Sequence, residues 1–398
     1  MRIFKVHKVG SAYRQFRRYR EIAGILIRYG FSDLVTTFGL RRYLPFGRFK
    51  EHAEIEKDAV SRYERIRMAI EELGPTFIKF GQLLSSRRDL LPSELITEME
   101  KLQDEVPPFS AEEARQTIEE ELGDKIDNLF TYFNDKPSAS ASIAQVHEAV
   151  TKEGDKTAVK IRRPGIRNTV ETDISIMRSL ASIAERAVQG TEVFEIERLV
   201  DQFARMIRKE LNFSLEANNM ERFAKCFTGT SYVHVPKLYS GLSSHRVMTM
   251  EYITGIKVTE IDSYETEHLD RQTVADHGAE MILAQIFSYG FFHADPHPGN
   301  IRILPGNTLC MLDYGVMGTL SERNREELGK LIMGFAEMDE RAVTNSVLEI
   351  SGTSGFTRTS DLEADIANFM EDNLYRPVGE INLGEVMGDL GSLLIHHD

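Results

Sequence analysis

The sequence has no tryptophan and only two cysteines, Cys226 and Cys310, in 398 residues. Two thiols so far apart fit no metal-ligand spacing or disulfide framework, and their scarcity points to a reducing, intracellular setting. Long apolar runs are also missing. The longest early one, Ile22 to Ile27, is broken by Ala and Gly, and nothing approaches the roughly 18 apolar residues of a membrane-spanning helix. No signal peptide, internal repeat or low-complexity tract is visible. What remains is ordinary globular composition, 41% hydrophobic and 28% charged, enough chain for two lobes or two to three domains.

Acidic residues are nearly absent from the first fifty. Twelve Lys and Arg stand there against Glu21 and Asp33, so this arm is +10 and the remainder −24 of a net −14. Such a split suits an anionic membrane surface meeting residues 1–50, with Phe16, Ile22, Leu26 and Phe31 entering the headgroup region. The plainer reading is a helix packed on the acidic body. That body is a poor nucleic-acid binder, and no nucleic-acid partner is expected.

The period of the pattern changes along the chain. Residues 51–128 read as helical, with Gly74-Pro75 ending one helix and opening another, Pro107-Pro108 breaking the pattern, and Ser110 with Glu113 forming a capping box. Strands follow at Leu129 to Phe133, Ile143 to Thr151 and Thr157 to Ile161. A long helical region over about 191–225 comes next, then strands around Val233 to Tyr239 and Arg246 to Ile253. The rest is mostly helical except for one hairpin, Ile301 to Leu304 and Thr308 to Leu312, turned by Pro305-Gly306-Asn307.

That hairpin carries the chemistry. Asn300 precedes its first strand and Asp313 follows its second, so antiparallel pairing brings two oxygen ligands together, as Mg²⁺ requires. Asp295 lies five residues before Asn300, the spacing of a kinase catalytic loop, and Asp313-Tyr314-Gly315 takes the place of Asp-Phe-Gly. His293, Asp295 and His297 also admit a zinc or iron reading, but Pro296 and Pro298 forbid the regular strand it needs. Lys160, in Ala158-Val159-Lys160-Ile161, matches a phosphate-pairing strand lysine and needs a carboxylate, for which Glu210 and Glu216 are candidates. Glycine is lacking where a phosphate-covering loop is expected: Ala139, Ser140, Ala141 and Ser142 stand there instead, so the phosphates are cradled with hydroxyl help. Met250, Glu251 and Ile253 occupy the position of an adenine-reading hinge. Only Val316 to Leu320 separate the metal triplet from the next helix, which leaves no room for the activation segment of a protein kinase.

Together these residues resemble the UbiB family of atypical, protein-kinase-like ATPases (also called aarF-domain or ADCK-type), from about residue 60 to the C-terminus. The resemblance includes Lys79-Phe80-Gly81-Gln82, similar to the family's Lys-x-Gly-Gln signature. It implies an α+β bilobal kinase-like fold: a basic arm (1–50), a helical extension bearing a lid (51–128), an N-lobe (129–253) and a C-lobe (254–398). It also implies Lys79 and Gln82 on a lid over the substrate site, Glu216 as the partner of Lys160, and Glu210 with position 212 touching the lid. Asn212 departs from the usual Asp there. Members often continue into C-terminal membrane-spanning helices, whereas this chain stops at His396-His397-Asp398, so it is either cut or a short member. The implied function is Mg-dependent ATP or ADP binding by a kinase or ATPase, not a protein kinase. It is expected to be peripheral at the cytoplasmic face of the inner membrane, or mitochondrial in a eukaryote. Its partners would be an isoprenoid or quinone-like lipid and lipid-biosynthesis enzymes. The alternatives are a nucleotide-binding pseudokinase scaffold and a phosphotransferase of the aminoglycoside or choline kinase type.

Overall fold

A computed structural model of the chain describes residues 3–44, 60–85, 90–102, 106–187, 196–351 and 359–374. The Pro45-Phe46-Gly47 end of the arm, the start of the expected helix at 191–195 and the terminal His396-His397-Asp398 lie outside these residues. In chain order the helices are α1 (Ile3–Arg28), α2 (Ser32–Thr37), α3 (Arg62–Leu73), α4 (Pro75–Ser85), α5 (Ser93–Met99), α6 (Ala111–Leu122), α7 (Ile126–Leu129), α8 (Ile166–Ala187), α9 (Ile196–Glu210), α10 (Phe213–Cys226), α11 (Arg271–Leu283), α12 (Glu322–Glu337), α13 (Glu340–Ser351) and α14 (Thr359–Leu374). The strands are β1 (Phe130–Phe133), β2 (Ala139–Ser140), β3 (Ala144–Thr151), β4 (Lys156–Arg162), β5 (Val233–His234), β6 (Val247–Glu251), β7 (Ile256–Lys257), β8 (Phe291–His293), β9 (Ile301–Leu304), β10 (Thr308–Met311) and β11 (Met317–Thr319).

The chain divides into two units, residues 1–221 with 236–253, and residues 222–235 with 254–398. In the first, β1, β3, β4 and β6 form an antiparallel sheet in that order, with β2 added to β3. One sheet face packs on α6 and α7 through Ile118, Ile126, Phe130, Val159, Ile161 and Val247, each at most 4% exposed. Local signals explain the boundaries. Gly74 adopts a left-handed φ of 92° between α3 and α4, with Pro75 in the first turn that follows. Ser110 and Glu113 exchange both bonds of a capping box at α6.

In the second unit β5, β10, β9 and β7 form a four-stranded sheet, and β5 runs parallel to β10. A separate two-stranded sheet pairs β8 with β11. Helix α11 continues into a π-helical turn at Ala284–Tyr289, and α12, α13 and α14 pack around Leu331, Val343, Ile366 and Phe369.

Two expectations need correction. The long helix after β4 is not confined to about 191–225, because α8 already occupies Ile166–Ala187. The apolar stripe of the basic arm is also committed to the protein itself. Ile22 is 2% and Phe31 8% exposed, and Ile22 and Ile25 share a core with Leu73 of α3 and Ile176 of α8, against which Leu26 packs. Phe16 stays about half exposed, beside exposed Arg14, Arg17 and Arg20. The reason is that an amphipathic stripe does not specify what it buries against, protein or lipid.

Ion pairs fasten the arm, Arg28 with Glu72 at 2.7 Å and the more buried Arg18 with Asp173. Arg18 Nε meets Asp173 Oδ1 at 2.7 Å, and Arg18 Nη2 also donates to the Leu73 carbonyl at 2.5 Å. Burial works against the Arg18 charge, but Asp173 and then Glu21 hold its pKa above the ordinary value. The Asp173 side chain is 1% exposed, so removing its partner strands a buried charge. Replacing Arg18 with Ala is therefore expected to cost about 3–5 kcal/mol, read as a lower urea midpoint at unchanged slope. A loss below about 1 kcal/mol would make the pair a surface contact.

Candidate functional site

Strand β4 is held on both sides, with Lys160 opposite Val146 of β3 and Met248 of β6. From there Lys160 Nζ donates to both carboxylate oxygens of Glu216, at 2.8 Å each, and lies 5.3 Å from the Phe213 ring centroid. Glu216 is 5% exposed. It sits in the first turn of α10, where the helix dipole favours a negative charge. Asn212 starts that helix, its side-chain oxygen accepting from the Ser214 N–H at 3.2 Å, which is an N-cap.

Glu210 ends α9 and meets Lys79 of α4 at 3.1 Å. Gln82, three residues beyond Lys79, donates instead to the Leu102 carbonyl at 3.2 Å. A Cβ at Gly81 would stand 2.5 Å from Leu102 Cδ1, so the glycine between them permits this close approach. Phe80 meets Phe203 of α9 edge-on at 5.2 Å. Lys79 therefore faces α9, while Gln82 ties α4 to the chain after α5.

The alanine-rich loop is the turn from β2 to β3. Ala139 and Ser140 pair with Val146 and Gln145, and the Ala141 N–H donates to the Ala144 carbonyl at 2.7 Å. Ser140 Oγ donates to the Val106 carbonyl at 2.8 Å. Ser142 is fully buried, and its hydroxyl has no hydrogen-bond partner. An unpaired buried hydroxyl costs about 1–3 kcal/mol. At the expected hinge, Met250 pairs with Ala158. Glu251 gives its N–H to the Lys237 carbonyl at 2.9 Å, and the chain passes through Ile253 toward β7.

In the second unit the β9–β10 register sets Ile301 opposite Met311, and the Leu312 N–H donates to the Asn300 carbonyl at 2.9 Å. Asn300 and Asp313 are thus at adjacent strand ends. Asp313 Oδ1 accepts from the Gly315 N–H at 2.8 Å. Exposed Asp295 is positioned through His293, a residue that sequence reasoning weighed only as a metal ligand. His293 Nδ1 accepts from the Asp295 N–H at 3.1 Å. Nδ1 is therefore unprotonated, and Nε2 donates to the Asp313 carbonyl at 2.9 Å. Buried Gln285, in the π-helical turn, receives the His293 N–H at 2.8 Å. Both ring nitrogens are spent on backbone, leaving neither for zinc, whereas Asn and Asp oxygens are the hard donors that Mg²⁺ takes. No group of three or more His, Cys, Asp or Glu among the described residues is arranged to hold a metal ion.

Tyr314 is fully buried beside Phe223 at 5.3 Å, and burial pushes its phenol pKa well up. An apolar cavity of about 400 Å³ lies in the same unit, lined by Met281, Phe292, Leu309 and Met311 and reaching His293 and Pro296.

A strand lysine ion-paired to a helix glutamate, together with a His-x-Asp…Asn loop and hairpin ending in Asp-x-Gly, defines a protein-kinase-like domain. A family model described as the ABC1 atypical kinase-like domain matches residues 101–347. A protein of Aeromonas hydrophila named "Probable protein kinase UbiB" is 36% identical over 95% of this chain and 70% of its own length. Its namesake in Pseudomonas aeruginosa is 34% identical over 94% and 71%. Among solved structures, the Rv3197–erythromycin complex from Mycobacterium tuberculosis matches at 26% identity and a TM-score of 0.51, over 78% of each chain. The chain belongs to the UbiB family of ABC1 atypical kinase-like proteins.

The His293 bridge gives a direct test of how Asp295 is held. His293→Ala removes two bonds at a buried site and is expected to cost about 1–3 kcal/mol each in stability. Hydrogen exchange at the Asp295 amide should quicken in step. Unchanged protection there would show that the loop is held by other means.

Proposed function

We propose that this chain is a Mg-dependent, ATP-binding atypical kinase or ATPase that acts at a membrane in isoprenoid quinone or related lipid metabolism. The observation that carries the reading is the doubly bonded Lys160–Glu216 pair, since a partly buried cation held ready by one buried carboxylate suits nucleotide phosphates. In this reading Lys160 pairs the α- and β-phosphates, and residues 139–142 cover them. Met250 to Ile253 meet the adenine. Asn300 and Asp313 hold Mg²⁺, which neutralises developing charge on the phosphates, and Asp295 orients the acceptor. The Lys79–Glu210 pair keeps α4 closed against α9, as a lid would be.

Two features favour a lipid over a protein acceptor. The place of a kinase activation segment is taken by β11, paired to β8 from Met317 to Thr319. The apolar cavity reaching His293 has the volume and lining of a small-ligand site. The name UbiB borne by the relatives accords with a quinone pathway. Peripheral attachment would use the outer face of α1, where Arg14, Phe16, Arg17 and Arg20 remain exposed. No helix among the described residues is long and apolar enough to cross a membrane.

ATP or ADP with Mg²⁺ should raise the melting temperature by mass action, the stabilisation reaching about 2.7 kcal/mol at a hundredfold excess over Kd. Asp313→Asn should abolish the Mg-dependent part; a full Mg dependence in that variant would remove Asp313 from the metal site. Phosphate release by the purified protein that disappears in Asp313→Asn would exclude the scaffold alternative.

The membrane reading has its own test. Anionic vesicles should carry the protein upward on flotation and release it as salt screens the contact. Combined Arg14→Gln, Arg17→Gln and Arg20→Gln should weaken binding several-fold with the fold intact. Equal flotation of that variant would move the contact off α1.

A further inference from the structure

Strand β4 does not end its work at Lys160. Its last residue is Arg162, followed by Arg163-Pro164-Gly165, and Gly165 takes a left-handed φ of 72° to start α8. Arg246, beside β6, is drawn in by the Arg162 N–H donating to its carbonyl at 2.9 Å. Around this corner is a pocket of about 250 Å³ lined by Arg162, Arg163, Arg167 and Arg246 with Gly165, Ile166 and Asn168, none of them acidic. The N-terminal end of the 22-residue helix α8 contributes residues to the same wall and adds its positive dipole end.

The chain settles only part of the charge there. Arg162 is 7% exposed and spends Nη1 on the Leu211 carbonyl at 2.6 Å. Burial, then the nearby Arg246 charge, hold its pKa below the ordinary arginine value; Glu121 opposes this, and Arg167 adds to it. Arg163 gives Nη2 to the carbonyls of Pro107 and Ala141, at 3.0 and 3.3 Å, but its buried Nε has no partner. Glu113 is the acid facing Arg163. The acids nearest Arg246 are Glu121 at 3.3 Å and Glu120 at 3.5 Å, and Glu121 is shared with Ser244 and His245. Arg167 is exposed on the pocket wall, and Glu171 is the acid that feels its charge. Four arginines around a cavity whose lining holds no acid suit an anion with several acceptor oxygens.

We propose that this pocket is a second anion site that takes a phosphate group, separate from the residues assigned to nucleotide. The group would come from a soluble phosphomonoester or from the headgroup of a lipid bearing one. Its contacts reach the nucleotide machinery. Arg163 holds the Ala141 carbonyl of the alanine-rich turn. Arg162 holds Leu211, between the lid partner Glu210 and the cap of α10. Occupancy would brace both, so the pocket serves as a sensor of phosphate in the lobe that carries Lys160.

Inorganic phosphate, titrated without Mg²⁺ at constant ionic strength, should raise the melting temperature saturably. Arg167→Gln, at an exposed position, should shift half-saturation about tenfold upward, as loss of one charge-assisted contact implies. Arg246→Gln should do the same. Asp313→Asn and Lys160→Ala should leave the phosphate response in place, which keeps this result separable from the nucleotide reading. A response unchanged in Arg167→Gln, or one lost in Lys160→Ala, would overturn the proposal. The source is read from vesicles containing phosphatidic acid or, at matched charge, phosphatidylglycerol. An extra flotation with phosphatidic acid that Arg167→Gln removes identifies a lipid headgroup, and its absence alongside a phosphate response identifies a soluble one.

Discussion

The antiparallel pairing of β4 between β3 and β6 is the constraint on which the first unit depends. Seven consecutive residues, 156–162, pair with β3, and the central five, 157–161, also pair with β6. With both neighbours in place, the strand cannot slip by one residue without turning every side chain to the opposite face. Val159 and Ile161 then enter the core under α6, and Lys160 and Arg162 take the other face, toward α10 and Leu211. Hydrophobic burial of two side chains thus aims two cations, and the exact register matters more than the strength of any single ion pair.

The second unit solves the corresponding problem with a hairpin. Asn300 and Asp313 need only be adjacent, and a four-residue pairing between β9 and β10 delivers that. His293 then links what the hairpin does not reach, because one neutral imidazole both accepts from the Asp295 N–H and donates to the Asp313 carbonyl. A second proton on this ring would turn the accepting nitrogen into a donor and break the first bond.

Much of this was legible in the sequence because it rests on local rules. The hairpin was marked by Pro305-Gly306-Asn307, the capping box by Ser110 and Glu113, and the strand lysine by its apolar run. Helix α8 escaped because Arg163-Pro164-Gly165 reads as a loop and the stripe beyond it is interrupted by charges. Strands β8 and β11 were missed since three-residue strands carry no period and pair over more than twenty positions. The cap role of Asn212 is readable from its place before Phe213-Ser214, since an Asn ahead of a helical stretch is an ordinary N-cap. The four-arginine corner was beyond sequence reasoning, because Arg246 joins Arg162 only through the sheet. Ile22 and Phe31 show the remaining limit, that the same stripe serves a core or a bilayer.

The burial of Tyr314 has a consequence for control. Its ring sits against Phe223, which in turn packs at a tilt against Phe227, and two residues later the Val316 carbonyl accepts from the Ala294 N–H beside β11. Swinging the Asp-Tyr-Gly triplet outward would expose a full aromatic ring, worth about 1.5–3 kcal/mol, and unzip a sheet at the same time. The in-and-out toggling by which many kinases are silenced is therefore disfavoured in this chain. Asp313 is thereby held at the end of β10 by the packing of the tyrosine beside it.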